Sequence, residues 1–169
     1  MDAFDCIATK LEPTQFAKKR VPDDVKKRVL EAARLTGSGV NYQHWRFVLV
    51  NEPTLVKRLA DDSTTGKWVG GADFAVLVLT NPKFNFHSFD AGRVVQDMEL
   101  AAWNFGVASR VFTGFDKEKM TRDFALPAEL SLTAAVGFGY PAKKLRGRKN
   151  RMQLTEIAFM DRYGQKFPL

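Results

Sequence analysis

Cysteine and histidine are nearly missing from this chain. Cys6 is the single cysteine in 169 residues, and His44 and His87 are the only histidines. One thiol excludes an internal disulfide and a cysteine-cluster metal site, and two histidines argue against a histidine-rich one. No metal is expected, and the redox setting implied is a reducing cytoplasm. Long apolar runs are missing too. The longest, Phe74 to Leu79, has the length of a strand, far below the roughly 20 residues a membrane helix needs. The start, MDAFDCIATK, carries two early acids and no cationic-then-apolar pattern, so no cleaved leader is expected. The catalytic patterns GxSxG, HExxH, CxxC and GxxxxGKS/T do not occur. Gly137 to Gly139 runs into Tyr140-Pro141 rather than a helix, which excludes a dinucleotide fingerprint there. Cys6, flanked by Asp5 and Ile7, reads as a buried structural thiol. His44 sits beside Trp45 in a loop, where it is either a donor to a ligand or, the simpler reading, a surface residue. A chain this poor in acid and base groups is expected to borrow its chemistry from a cofactor.

What is present describes one globular domain over residues 1–169, with 45% hydrophobic and 27% charged residues and no internal repeat. The net charge of +7 has an address. Lys143 to Arg151 (KKLRGRKNR) holds six basic residues and no acid; the other 20 basic and 19 acidic residues nearly cancel. Such a segment is a solvated loop or the seat of a local anion: a cofactor phosphate, nucleic acid or a membrane surface. It lacks interleaved aromatics for base stacking, which disfavours nucleic acid.

Helices alternate with apolar strands. A short helix is expected over residues 2–9. Pro22, Asp23 and Asp24 open an amphipathic helix over 22–35, with Val25, Val29, Ala32 and Ala33 on one stripe. RFVLV (46–50) reads as a strand and 53–61 as a helix. Residues 61–71 are polar and Gly-rich, hence a loop. FAVLVLT (74–80) reads as a strand covered on both faces. A central helix over about 88–106, capped by Ser88, follows; Val94, Met98, Ala101, Ala102 and Phe105 form its buried stripe. Strands at 107–113 and 132–139 flank a helix at 116–124, and a tail runs from Gln153 to Leu169. This is an α/β or α+β layered domain.

The stretch TGSGVNYQHWRF (36–47) concentrates small residues, amides and an aromatic between a helix and a strand. Small residues admit a flat ligand or another backbone; Asn41 and Gln43 both donate and accept. On composition alone, a capped loop whose amides satisfy local backbone is the simpler reading.

SGVNYQHW resembles the PSxxNxQPW signature of the nitroreductase-like family of FMN-dependent oxidoreductases, and the resemblance continues in order. VPDDVKKRVLEAARLTGSG is similar to the helix leading into that signature. ADFAVLVLT resembles its first buried strand after a variable insertion, and DAGRVVQDMELAAWNFGVASRVFTGFD its central helix, strand and flavin-facing loop. VGFGYP and RKNRMQLTEIAFMDRYG resemble the late strand and the C-terminal phosphate segment with its tail. The resemblance spans nearly the whole chain. It implies an α+β sandwich, a mixed or mostly antiparallel sheet flanked by helices, in an intertwined homodimer. The 153–169 tail would embrace the partner through Phe159, Tyr163 and Phe167.

It also implies FMN as cofactor, NADH or NADPH as donor, and ping-pong hydride transfer to a nitroaromatic, quinone or flavin acceptor. The flavin carries the chemistry, so no residue is assigned as catalytic; neither nucleic acid nor membrane is a partner. By match to the family's motifs, Ser38, Gly39, Asn41 and Gln43 contact flavin held by the neighbouring subunit. Thr113 and Gly114 approach its reactive edge. Lys10, Lys149 and Arg151 hold its phosphate, with Arg148 in reserve. The sequence departs from the family at KLEPTQF (10–16), where RRSxRxF is usual. Glu12 would repel a phosphate unless its side chain turns away, and Leu11 and Thr14 replace basic or hydroxylic residues. The segment that roofs the substrate is reduced to DDSTTGKWVGG (61–71), leaving Lys67 or Trp68 to touch the flavin and Trp68 or Phe84 to stack on an acceptor, although core packing is the commoner fate of such aromatics. These departures motivate an alternative, a flavin-binding or regulatory protein of the same fold with little reductase activity.

Overall fold

Alternating apolar and small residues in the middle strands let helices cover both sides of one sheet. The computed structural model describes residues 1–147, 149–166 and 168. Arg148 and Phe167 therefore lie outside the described residues. The elements are α1 (Ala3–Thr9), α2 (Asp23–Leu35), β1 (Arg46–Val50), α3 (Pro53–Asp61), β2 (Phe74–Thr80), α4 (His87–Asn104), β3 (Ala108–Phe112), α5 (Lys117–Asp123), β4 (Ser131–Gly139) and α6 (Leu154–Ile157). Among the described residues, the strands form one four-stranded sheet in the order β1-β2-β4-β3, antiparallel throughout.

Every residue of β2 is buried. Phe74, Val76 and Val78 face one way, into a core shared with Val25 and Val29 of α2 and Val94 and Met98 of α4. Ala75, Leu77 and Leu79 face the other way, onto Val56 and Leu59 of α3 and Met120 of α5. A strand has a side-chain period of two, so one continuous apolar run serves both layers. Phe74 and Phe138, paired across β2 and β4, stack at 4.8 Å.

Two expectations about α4 need correction. Ser88 does not cap it. The helix starts at His87 with Phe86 in the cap position and no side-chain cap bond. Phe105 does not continue the buried stripe and is 44% exposed, because the helix ends at Asn104. The Gly-rich loop after α3 contains a 3-10 turn, Lys67–Gly71. The N-terminal segment leaves α1 and bridges the end of β4: Ala17 N–H donates to the Tyr140 carbonyl at 2.7 Å, and Phe16 bridges Pro141. The tail carries α6 and an antiparallel bridge between Phe159 and Lys166, with Phe159 and Tyr163 rings 4.6 Å apart.

Candidate functional site

The signature loop is fastened to the start of α4. Asp90, in the first turn of α4, is 1% exposed. Its Oδ2 accepts the Gly39 N–H at 2.9 Å and faces His44 Nε2 at 3.1 Å, and Arg93 lies 3.5 Å from Oδ1. The Gln43 N–H donates to Ser38 Oγ at 2.9 Å, closing the loop on itself. Val40, Asn41 and Gln43 all have positive φ, the left-handed conformation that side chains disfavour. Such a run persists where surrounding bonds over-determine it. Gly39 is required here: a Cβ would come within 2.7 Å of the Phe86 ring. Asn41, Tyr42 and Gln43 project outward and are exposed.

His44 is not at the surface. It is 7% exposed, bonded to Asp90, and sits among Trp45, Phe84 and Phe86 at 5.2 to 5.8 Å. Its Nδ1 is buried without a partner among the described residues. Phe84 stacks on Tyr42 at 4.6 Å rather than standing free for an acceptor. Trp68 likewise packs edge-on against Phe112 at 5.5 Å, and Lys67 Nζ bonds the Asp61 carbonyl at 3.1 Å.

Thr113 and Gly114 form a second group, at the end of β3. Gly114 accepts from the Thr64 N–H at 3.0 Å and donates to Thr65 Oγ1 at 3.2 Å. A Cβ there would collide with both threonine hydroxyls, which explains the glycine. Thr113 is exposed.

The cations form the third group. Lys149 Nζ donates to the Ile7 carbonyl in α1 and lines a cavity of about 530 Å³ with Thr9, Leu11 and Trp103. Arg151 is exposed, and among the described residues its side chain bonds only the Asn150 carbonyl, at 2.8 Å. Lys10 is 8% exposed and already held by two carboxylates, Glu12 and Glu99, each at 2.9 Å. Glu12 thus turns onto Lys10, not away from it. Glu99, which sequence reading missed, also accepts from Ser109 Oγ at 3.0 Å. Burial pushes its carboxyl above the ordinary value, against the pull of Lys10. A phosphate-bearing flavin fits the donors of Lys149 and Arg151, which face no carboxylate among the described residues. It fits Lys10 poorly, because that charge is spent.

Among the described residues, no hydrogen bond or ion pair joins the three groups to one another. No group of three or more potential metal ligands occurs among them, and no helix is long and apolar enough to cross a membrane.

The chain was compared with known proteins. A profile of the Nitroreductase family matches residues 15–86, which include the whole signature loop. A curated protein of Archaeoglobus fulgidus, provisionally named NADH dehydrogenase/NAD(P)H nitroreductase, is 25% identical over 151 residues, covering 83% of this chain and 86% of its own. A nitroreductase family protein of Clostridium difficile 630 superposes with a TM-score of 0.85 at 22% identity, covering 96% of this chain and 99% of its own. An FMN-dependent nitroreductase of Clostridium difficile R20291 gives 0.84 at 17% identity, covering 92% and 98%. The profile match over residues 15–86 and the curated relative make this chain similar to the Nitroreductase family, and the superpositions show that it has the nitroreductase fold.

Proposed function

We propose that the chain is an FMN-dependent NAD(P)H oxidoreductase, working as a cytoplasmic homodimer on small-molecule acceptors. The observation that carries this reading is the division of the candidate site into separate pieces. The Ser38–Gln43 loop points outward from α4, while Thr113, Gly114, Lys149 and Arg151 lie on other elements, with no bond between them. A second copy could supply the loop to the pieces that lack it. FMN held there would supply two-electron chemistry, with NADH or NADPH as donor and a nitroaromatic, quinone or flavin as acceptor in a ping-pong scheme. The chain's own residues bind and orient. Lys149 and Arg151 neutralise the phosphate through charge-assisted hydrogen bonds. Thr113 and Gly114 border the reactive edge. Ser38, Gly39, Asn41 and Gln43 of a second copy enclose the flavin.

The pairing of Lys10 with Glu12 favours the alternative of a flavin-binding or regulatory protein with little turnover. Anaerobic mixing of FMN-loaded protein with NADH and with NADPH separates the two. Rapid bleaching by either donor supports the reductase; stable oxidised flavin with both supports the alternative. Sedimentation at micromolar concentration should give twice 19.0 kDa, and a value near 19.0 kDa overturns the homodimer.

A further inference from the structure

A second concentration of positive charge lies outside the 143–151 segment. Lys18, Lys19 and Arg20 follow the Phe16 bridge and line a cleft of about 410 Å³ together with Lys57 of α3. Apart from Asp73, the remaining lining is small and apolar: Ala17, Pro53, Val56, Gly70, Gly71 and Ala72. A Cβ on Gly71 would meet nothing within 4 Å, so close packing does not require the glycine there.

One carboxylate, Asp73, lines this cleft, and it is already satisfied. It accepts the Val21 N–H at 2.9 Å, and it pairs with Arg20 at 3.2 Å and with buried Lys26 at 3.7 Å. Lys18 and Lys57 have no hydrogen-bond or ion-pair partner among the described residues. Among the described residues the Lys19 ammonium has only the face of the Tyr140 ring, at 4.3 Å. Three ammonium groups therefore border one concavity without a compensating anion. A concave, low-dielectric wall focuses such a field and concentrates anions within it. The volume falls within the range of small-ligand sites, roughly 300–1,000 Å³, and an apolar floor with a few polar groups is their usual lining.

We propose that this cleft binds a phosphorylated small molecule. Its phosphates would lie against Lys18, Lys19 and Lys57, and its apolar body on the floor of Val56 and Ala72. None of the residues assigned above to the flavin lines the cleft, so the proposal stands or falls apart from the flavin reading.

The test is titration calorimetry on the intact protein at low salt, with inorganic pyrophosphate, ADP and a single-stranded oligonucleotide as probes. Pyrophosphate and ADP should both bind, ADP more tightly because adenosine covers the apolar floor, and added salt should weaken both. Lys18→Ala and Lys57→Ala should each weaken ADP binding by about five- to tenfold, the size of one lost charged hydrogen bond. Both side chains are exposed, so melting temperature and FMN retention should stay at wild-type values. Arg146→Ala, in the other basic segment, should leave ADP affinity unchanged. No heat with either phosphate probe, or equal losses from Arg146→Ala and Lys57→Ala, overturns the site. Oligonucleotide binding that depends on both segments overturns it too, in favour of an extended cationic surface.

Discussion

Replacing Asp90 by alanine tests how the signature loop is held. Asp90 Oδ2 satisfies two donors, the Gly39 N–H at 2.9 Å and His44 Nε2 at 3.1 Å. Alanine leaves both without a partner. The His44 ring loses its only hydrogen bond, because Nδ1 has none among the described residues. A buried donor left unpaired costs about 1–3 kcal/mol. The Gly39 N–H is half-buried, so water recovers part of its cost. Removing a buried carboxylate also returns some desolvation energy. The net loss should be about 2–4 kcal/mol. For a domain of this size each kcal/mol lowers Tm by about 2–4 °C, so Asp90→Ala should melt about 5–15 °C below wild type. Asp90→Asn keeps one acceptor oxygen and should lose roughly half as much. Circular dichroism gives the melting curves. Limited chymotrypsin digestion, cutting at exposed Tyr42, reports the loop itself. Unfastened from α4, the loop has three positive-φ residues spanned by the bond from the Gln43 N–H to Ser38 Oγ but no longer anchored through Asp90, and cleavage should accelerate well before global unfolding. If Asp90→Ala melts within about 2 °C of wild type and resists cleavage equally, the carboxylate does not hold the loop.

Other perturbations probe the phosphate end and the buried charges. Arg151→Ala should weaken FMN binding about ten- to a hundredfold without lowering Tm, whereas Arg146→Ala should do little; fluorescence titration of FMN decides. Glu12→Ser should tighten FMN binding in the same titration, because it removes a negative charge from the candidate phosphate end of the site. Burial holds the Glu99 carboxyl above its ordinary value of 4.5, so the folded state keeps that proton longer than the unfolded chain. The resulting stabilisation is full below the ordinary value and is lost as pH rises from there through the raised value. Glu99→Gln should therefore flatten the fall in Tm across that window, and an unchanged slope would show that Glu99 does not titrate there.

Much of the fold could be read from the sequence because its strands are bounded by clear stops. Residues 46–50, 53–61 and 74–80 adopt the expected elements residue for residue, each followed at once by a polar residue: Asn51, Asp62 and Asn81. The start of α4 was not legible, since Phe86 earns its cap position by packing against Gly39 and not by any capping chemistry of its own. His44 looked like a surface residue because its partner lies 46 positions away. An acid in the first turn of α4 was the available hint, but it reads equally as a helix-dipole preference. The cations of the candidate site were visible as residue types, yet their availability was not. Glu99 neutralises Lys10 from within α4, at a position flanked by Val95, Met98 and Ala102, where an acid breaks the apolar stripe. The cleft around Lys18 and Lys57 was hidden for a related reason. Its charges cancel against acids in a whole-chain sum, and the structure places a single carboxylate, Asp73, among the described residues that line the cleft.

The most direct measurement is the visible spectrum of the purified protein, followed by anaerobic addition of NADH or NADPH. The account predicts flavin absorbance from bound FMN that bleaches with at least one donor and returns on adding a quinone. Protein that remains colourless after incubation with excess FMN and desalting would contradict it.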